Sequence, residues 1–141
     1  MTLSYQEQQL LEAATGHSAI MNLSARHNRA YSNGDLDRWM ATFRHSGATY
    51  TRDGEVFGDL RSAFDGGGGQ RLVSLDHEIR IDGINAVQRC VAVVFSTRYG
   101  DSTVRATGLF RDTLIYERGT WCFASRELAW DAAPSRHRLV M

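Results

Sequence analysis

The sequence predicts an α+β fold, a curved antiparallel sheet wrapped around N-terminal helices with a hollow between them. Three observations carry this. Apolar residues recur at helical spacing up to about residue 47, and after residue 70 the pattern becomes strand-like. The strand-like segments are long and separated by short glycine-bearing breaks, which force neighbouring strands to be antiparallel. No linker or internal repeat divides the 141 residues, so residues 1–141 are read as a single domain.

Ser4-Tyr5-Gln6-Glu7 is a capping box and opens a short helix carrying Leu10 and Leu11, with Gly16 as its expected stop. A second helix runs from about Ser18 to Tyr31, with Ile20, Leu23, His27, Ala30 and Tyr31 on one face. Ser32-Asn33-Gly34 ends it. Asp35 caps a third helix whose apolar stripe is Leu36, Trp39, Met40 and Phe43. Ala48 to Arg52 reads as a strand, Asp53-Gly54 as a tight turn and Glu55 to Phe57 as its partner. Asp59 to Phe64 suits one more helical piece. Gly66 to Gly69, four glycines in succession, suits no regular element and reads as a mobile connection, with a lid as its functional alternative.

Four long segments follow: Arg71–Asp82, Ala86–Tyr99, Ser102–Glu117 and Thr120–Trp130. Their breaks, Asp82-Gly83, Tyr99-Gly100-Asp101 and Arg118-Gly119, are hairpin punctuation. Strands of ten or more residues twist and curl strongly, and a curled sheet needs its concave side filled. The helices supply the filling, and the space they leave is the expected pocket.

Composition excludes several function classes. An apolar share of 43% and a charged share of 23% are ordinary for a globular domain. Sixteen basic residues balance sixteen acidic ones, which gives no electrostatic reason to expect nucleic acid or an anionic membrane as partner. No apolar run is long enough to span a bilayer, and the first residues lack the pattern of a signal peptide. Cys90 and Cys122 match neither a disulfide framework nor a zinc motif and read as small buried hydrophobes in a reducing, cytoplasmic setting. The histidines at 17, 27, 45, 77 and 137 form no ligand pair, so neither metal nor cofactor is expected.

Several stretches resemble the NTF2-like superfamily and, within it, the SnoaL-like group. Gly34-Asp35-Leu36-Asp37 through Phe43 is similar to that family's GDLDALAALF stretch, and Tyr50 through Gly58 to its strand and DG…G turn. Arg71 to His77 sits where many members have RH…N. Gly108-Leu109-Phe110-Arg111-Asp112, with Gly119-Thr120-Trp121 and Arg126, resembles the GxYxD…GxW…R ending. The resemblance covers most of residues 18–130 and implies a cone-shaped fold with an internal pocket, as in scytalone dehydratase, ketosteroid isomerase, polyketide cyclases and hexachlorocyclohexane dehydrochlorinase. It also exposes departures. The aspartate–histidine pair of dehydratase-like members falls on Ser32 and Leu72, and the isomerase aspartate falls near Thr51.

Of the residues left to do chemistry, His27 stands out, because its place on the apolar stripe points an imidazole at the sheet. A core histidine bonded to Tyr31, Tyr50 or a carbonyl is the equally weighted alternative. Asp76 shares a face with Leu72 and Ser74 if the strand is regular, and a carboxylate in an apolar cavity can serve as a base. A bulge would instead leave it in water, with His77 of opposite parity. Arg126 aligns with an arginine that functions in dehydrochlorinase-like members, although a surface cross-strand pair is the commoner role for such an arginine. Tyr31, Trp39, Tyr50, Leu72 and Phe110 are the candidates to line the pocket.

Three functions are compatible with this reading. The first is a cofactor-independent lyase, isomerase or cyclase acting by acid–base chemistry on a small, mostly apolar molecule of steroid, polyketide or terpenoid kind. The second is a non-catalytic small-ligand-binding protein. The third is a structural subunit of a larger oxygenase. Under each, both faces of the segment from Ala86 are apolar, with Val87, Val91, Val93 and Phe95 opposite Ala86, Cys90, Ala92 and Val94. One such face needs a partner, so a homodimer or higher homo-oligomer through the sheet face is expected.

Overall fold

The computed structural model describes residues 2–100 and 102–132. Its first element corrects the expectation of two N-terminal helices. A single helix, α1 (Tyr5–Asn33), runs through Gly16 without a break. Ser4 caps it by accepting from the Glu7 backbone N–H, and Gly34, in the left-handed region at φ 68°, ends it. Gly16 serves close packing here and not termination. A β-carbon at that position would stand 2.7 Å from Ile81 Cδ1, so its lack of a side chain lets the helix meet the sheet.

A short helix, α2 (Leu36–Met40), follows, capped by Asp35. It stops before Phe43 because the backbone there pairs elsewhere: Phe123 N–H donates to Thr42 O and Arg44 N–H to Phe123 O. Next come β1 (Thr49–Arg52), β2 (Glu55–Phe57) and the single turn α3 (Leu60–Ala63). The four long segments are β3 (Gln70–Asp82), β4 (Asn85–Ser96), β5 (Val104–Glu117) and β6 (Thr120–Trp130). Of the expected break at Tyr99-Gly100-Asp101, residues 98–100 form a single 3₁₀ turn, and Asp101 lies outside the described residues, as does His137.

One unclosed, curved sheet results, in the order β2-β1-β6-β5-β4-β3. All its neighbours are antiparallel except β1 and β6, which pair in parallel. Register shifts at Leu75/Glu78, Val94/Phe95 and Thr113/Leu114 supply local bends. Helix α1 lies against the concave face. In β4 the alternation is as expected: Ala86, Cys90, Ala92 and Val94 are buried beneath α1, while Val87, Val91, Val93 and Phe95 face outward.

The glycine run is tied down at several points. Gly67 N–H donates to Tyr31 O at 2.7 Å, Gly69 O accepts from Thr97 N–H at 2.8 Å, and Gly68 O accepts from Arg98 Nε at 2.8 Å. Gly67, Gly68 and Gly69 all have positive φ, a path that side-chain-bearing residues adopt poorly. The segment joins α3 to β3 across the C-terminal end of α1.

Candidate functional site

The centre of the space between α1 and the sheet is occupied by aromatic rings, so what stays open is a cleft along β3 and not the enclosed hollow expected. His27, Trp39, Phe43, Phe110 and Phe123 pack with ring centroids 4.9–6.3 Å apart, and Tyr50 packs edge-on against Trp39 at 5.5 Å. Burial of this apolar area holds the helix to the sheet.

His27 sits at the centre of the cluster with no free nitrogen. Trp39 Nε1 donates to His27 Nε2 at 3.0 Å, so Nε2 carries no proton. His27 Nδ1 must then be the protonated nitrogen, and it donates to Thr42 Oγ1 at 3.1 Å. Thr42 Oγ1 in turn donates to Trp39 O at 2.6 Å. Burial, and then the Arg126 charge, push the imidazole well below its ordinary pKa, so it stays neutral.

Arg126 lies wholly inside the protein. Its guanidinium stacks 3.5 Å from the Phe110 ring centroid and 4.5 Å from that of Phe123. Nε stands 3.1 Å from Asp112 Oδ1, off the line of a hydrogen bond, so this contact is electrostatic. Burial raises the Asp112 carboxyl above the usual carboxylate range, and the Arg126 charge and the Gln88 amide oppose that rise. Gln88 Nε2 donates to Asp112 Oδ2 at 2.8 Å, and Gln88 Oε1 faces His77 Nδ1 at 2.8 Å. A polar chain therefore runs from Arg126 in the core to His77 at the edge.

His77 opens onto a cleft of about 520 Å³ between α1 and β3. Met21, Ala25, Asn28, Arg29 and Ser32 border it from the helix, and Arg71, Leu72, Ser74 and His77 from the strand. Ser32 Oγ accepts from the Leu72 backbone N–H at 2.9 Å, so the two positions matched to the dehydratase pair do meet at this cleft. Neither carries a base. Asn28 Nδ2 donates to Ser74 Oγ at 2.8 Å, while its buried Oδ1 has no partner among the described residues. Among those residues, the side chains of Arg29 and Arg71 have no hydrogen-bond or ion-pair partner either.

The bulge between Leu75 and Glu78 decides the inward residue of β3. Asp76 takes a left-handed backbone at φ 55° and is exposed, and His77 turns inward in its place. Of the two arrangements open for β3, the bulged one is adopted: Asp76 is left in water, which rules out its role as an inward base, and His77 takes the inward place. Of the expected lining residues, Leu72 borders the cleft. Tyr31, Trp39, Tyr50 and Phe110 are buried in the cluster. Burial lifts the Tyr50 phenol to about 12 and raises that of Tyr31 as well, which keeps both protonated.

Gln88, Asp112, Asn28 and Arg29 were not foreseen. Two of them carried a signal. Gln88 lies at the parity of Ala86 and Cys90, and Asp112 at that of Phe110 and Leu114, so polar groups interrupt otherwise apolar inward faces.

Helices packed on the concave face of an open six-stranded sheet make the cystatin-like fold seen in NTF2-like proteins. The chain belongs to the SnoaL-like family, whose domain model matches residues 12–127. An NTF2-like protein with a cystatin-like fold from Novosphingobium aromaticivorans is similar over 100% of this chain and 99% of its own, at 18% identity and a TM-score of 0.79. A single-substitution variant of Rv3472, a protein of unknown function from Mycobacterium tuberculosis, matches at 24% identity and a TM-score of 0.75, covering 93% of this chain and 78% of its own. A candidate scytalone dehydratase from Novosphingobium aromaticivorans matches at 18% identity and a TM-score of 0.70, covering 89% and 87%. At these identities the likeness is one of fold. No curated protein matches the sequence. Among the described residues no helix is long and apolar enough to cross a membrane.

Proposed function

We propose that the protein binds a small, mostly apolar molecule in the cleft between α1 and β3. One observation carries the reading. The cleft, about 520 Å³, is of the size small ligands occupy, and it combines apolar walls from Met21 and Leu72 with two arginines, Arg29 and Arg71, that are unpaired among the described residues. Those cations favour a ligand with one anionic or strongly polar oxygen. The dehydratase-type pair is replaced by Ser32 and Leu72, and both His27 nitrogens are occupied. Binding, rather than the known dehydratase or isomerase chemistry, is what these residues support.

Ala25 borders the cleft from an exposed position on α1, so Ala25→Trp fills it without entering the core. A panel of polyketide-like phenols, steroids and terpenoid acids, tested by thermal shift, is expected to yield a stabilising class for the wild type. Ala25→Trp is expected to keep its own melting temperature and lose that response. An unchanged response in the variant rejects the cleft as the site.

The outer sheet face supports a second copy of the chain as a further partner. Leu75, Val91 and Leu109 are paired neighbours across β3, β4 and β5, forming an apolar row on the face away from α1.

A further inference from the structure

The side chain of Gln88 can be oriented without ambiguity. Its Nε2 stands 2.8 Å from Asp112 Oδ2, and Asp112 lies against the Arg126 guanidinium with both side chains fully buried. A carboxylate held by a permanent cation accepts hydrogen bonds and donates none, so the group facing it must be the amide NH₂. Gln88 Oε1 therefore faces His77, 2.8 Å from Nδ1. A carbonyl oxygen only accepts, so Nδ1 carries the proton. Ser24 Oγ, 3.3 Å from Oε1 and 3.2 Å from Nε2, is compatible with this orientation.

We propose that Gln88 locks His77 as its Nδ1–H tautomer, leaving a bare Nε2 to accept a proton, in the α1–β3 cleft, from a small apolar molecule with one acidic hydroxyl or enolisable C–H. This rests on the cleft being the binding site. The balance is simple. The O–H or C–H bond breaks, its electron pair stays on the ligand, and the proton passes to Nε2. The resulting anion lies beside Arg29 and Arg71, which border the same cleft. Gln88 is a positioning residue, and Asp112 and Arg126 set its orientation. Asp76 and Glu78, the acidic neighbours of His77 in β3, are exposed. His27 cannot share the role, since both its nitrogens are engaged.

Two measurements on the full chain test this. A long-range proton–nitrogen correlation spectrum, with the His77 signals assigned through their loss in His77→Gln, reports the tautomer of the neutral ring. The expected result is a protonated Nδ1 and a bare Nε2, and the opposite pattern overturns the proposal. The second uses 4-nitrophenol, whose phenolate band reads its ionisation directly, while backbone amide shifts at Leu72 and Ser74 report where it binds. The bound probe is expected to show a phenolate-to-phenol ratio about tenfold above that of free probe at the same pH. His77→Gln is expected to bind the probe and lose that gain. Gln88→Met is expected to lose the single tautomer, and because the wild-type spectrum decides the tautomer alone, the test survives a Gln88→Met chain that fails to fold. Binding in the cleft without extra ionisation overturns the proton-acceptor role and leaves the binding reading intact. Failure of the probe to perturb the cleft overturns both.

Discussion

Trp39 Nε1 donates to His27 Nε2 at 3.0 Å, tying α2 to the C-terminal half of α1 inside the aromatic cluster. That bond makes the imidazole a structural acceptor. His27→Ala would leave Trp39 Nε1 and Thr42 Oγ1 short of partners and open a void among four rings. We predict a stability loss of about 3 kcal/mol or more in urea unfolding, from the unsatisfied groups and the cavity together. A loss below about 1 kcal/mol would show that the cluster does not depend on this histidine.

The same residue sets a pH dependence. Its folded pKa lies well below the ordinary 6.5, because burial and then Arg126 disfavour the cation. Below pH 6.5 the unfolded chain therefore binds a proton that the folded chain refuses, and stability falls as pH drops toward the folded value. The slope approaches about 1.4 kcal/mol per pH unit at most. Asp112 acts with the opposite sign, since its raised carboxyl takes up a proton more readily in the folded state. Comparing wild type with His27→Gln at pH 7 and pH 5 cancels the Asp112 contribution. The variant is expected to lose less stability on acidification, and parallel profiles would contradict the assignment.

Arg126 and Asp112 test a different cost. Both side chains are fully buried, so removing one leaves the other as an uncompensated charge. Arg126→Met is predicted to cost about 3–5 kcal/mol. Adding Asp112→Asn keeps an amide near Gln88 and removes the stranded charge, and should recover at least about 1 kcal/mol of that loss. Additive losses in chemical denaturation would mean that the pair is not coupled.

Gly16 shows where local patterns mislead. A glycine inside an amphipathic stretch carries the same letter whether it ends a helix or lets one approach a sheet, and only Ile81, far along the chain, tells them apart. Every strand, by contrast, was legible, because alternation and Gly-bearing turns are local signals, and β2 and β6 begin and end where expected. The site was less legible. Asp76 and His77 exchange faces through one bulged residue, which no alternation rule contains. The internal hollow failed for a related reason, since the packing of Trp39, Phe43 and Phe123 depends on side-chain volumes meeting across separate elements.

Gly16 also yields a stability test. Alanine there gains up to about 1 kcal/mol of helix propensity over glycine. Its β-carbon would stand 2.7 Å from Ile81 Cδ1, which must move away. Gly16→Ala alone is predicted to fall within about 1 kcal/mol of wild type, the propensity gain and the displacement opposing each other. In an Ile81→Val background, which removes the colliding methyl, the same change is expected to stabilise by about 0.5–1 kcal/mol. Thermal unfolding of the four proteins measures both effects, and a destabilised Gly16→Ala in the valine background would place the clash on Trp121 instead.

The outer face of the sheet decides the assembly state. Leu75 pairs with Val91, and Val91 with Leu109, so three aliphatic side chains line up across adjacent strands. Leu75 and Leu109 are 43% and 45% exposed in the single chain, and Val87 nearby is 48% exposed. Water against such a row is unfavourable by roughly 25 cal/mol per Å², and a second copy of the same face removes it. We expect size-exclusion chromatography with light scattering to give a dimer or larger species. Leu109→Lys, which sets like charges against each other across a two-fold contact, should shift it to monomer while the circular dichroism spectrum is unchanged. A wild type that elutes at the 15.8 kDa of one chain would show that this face is left to water.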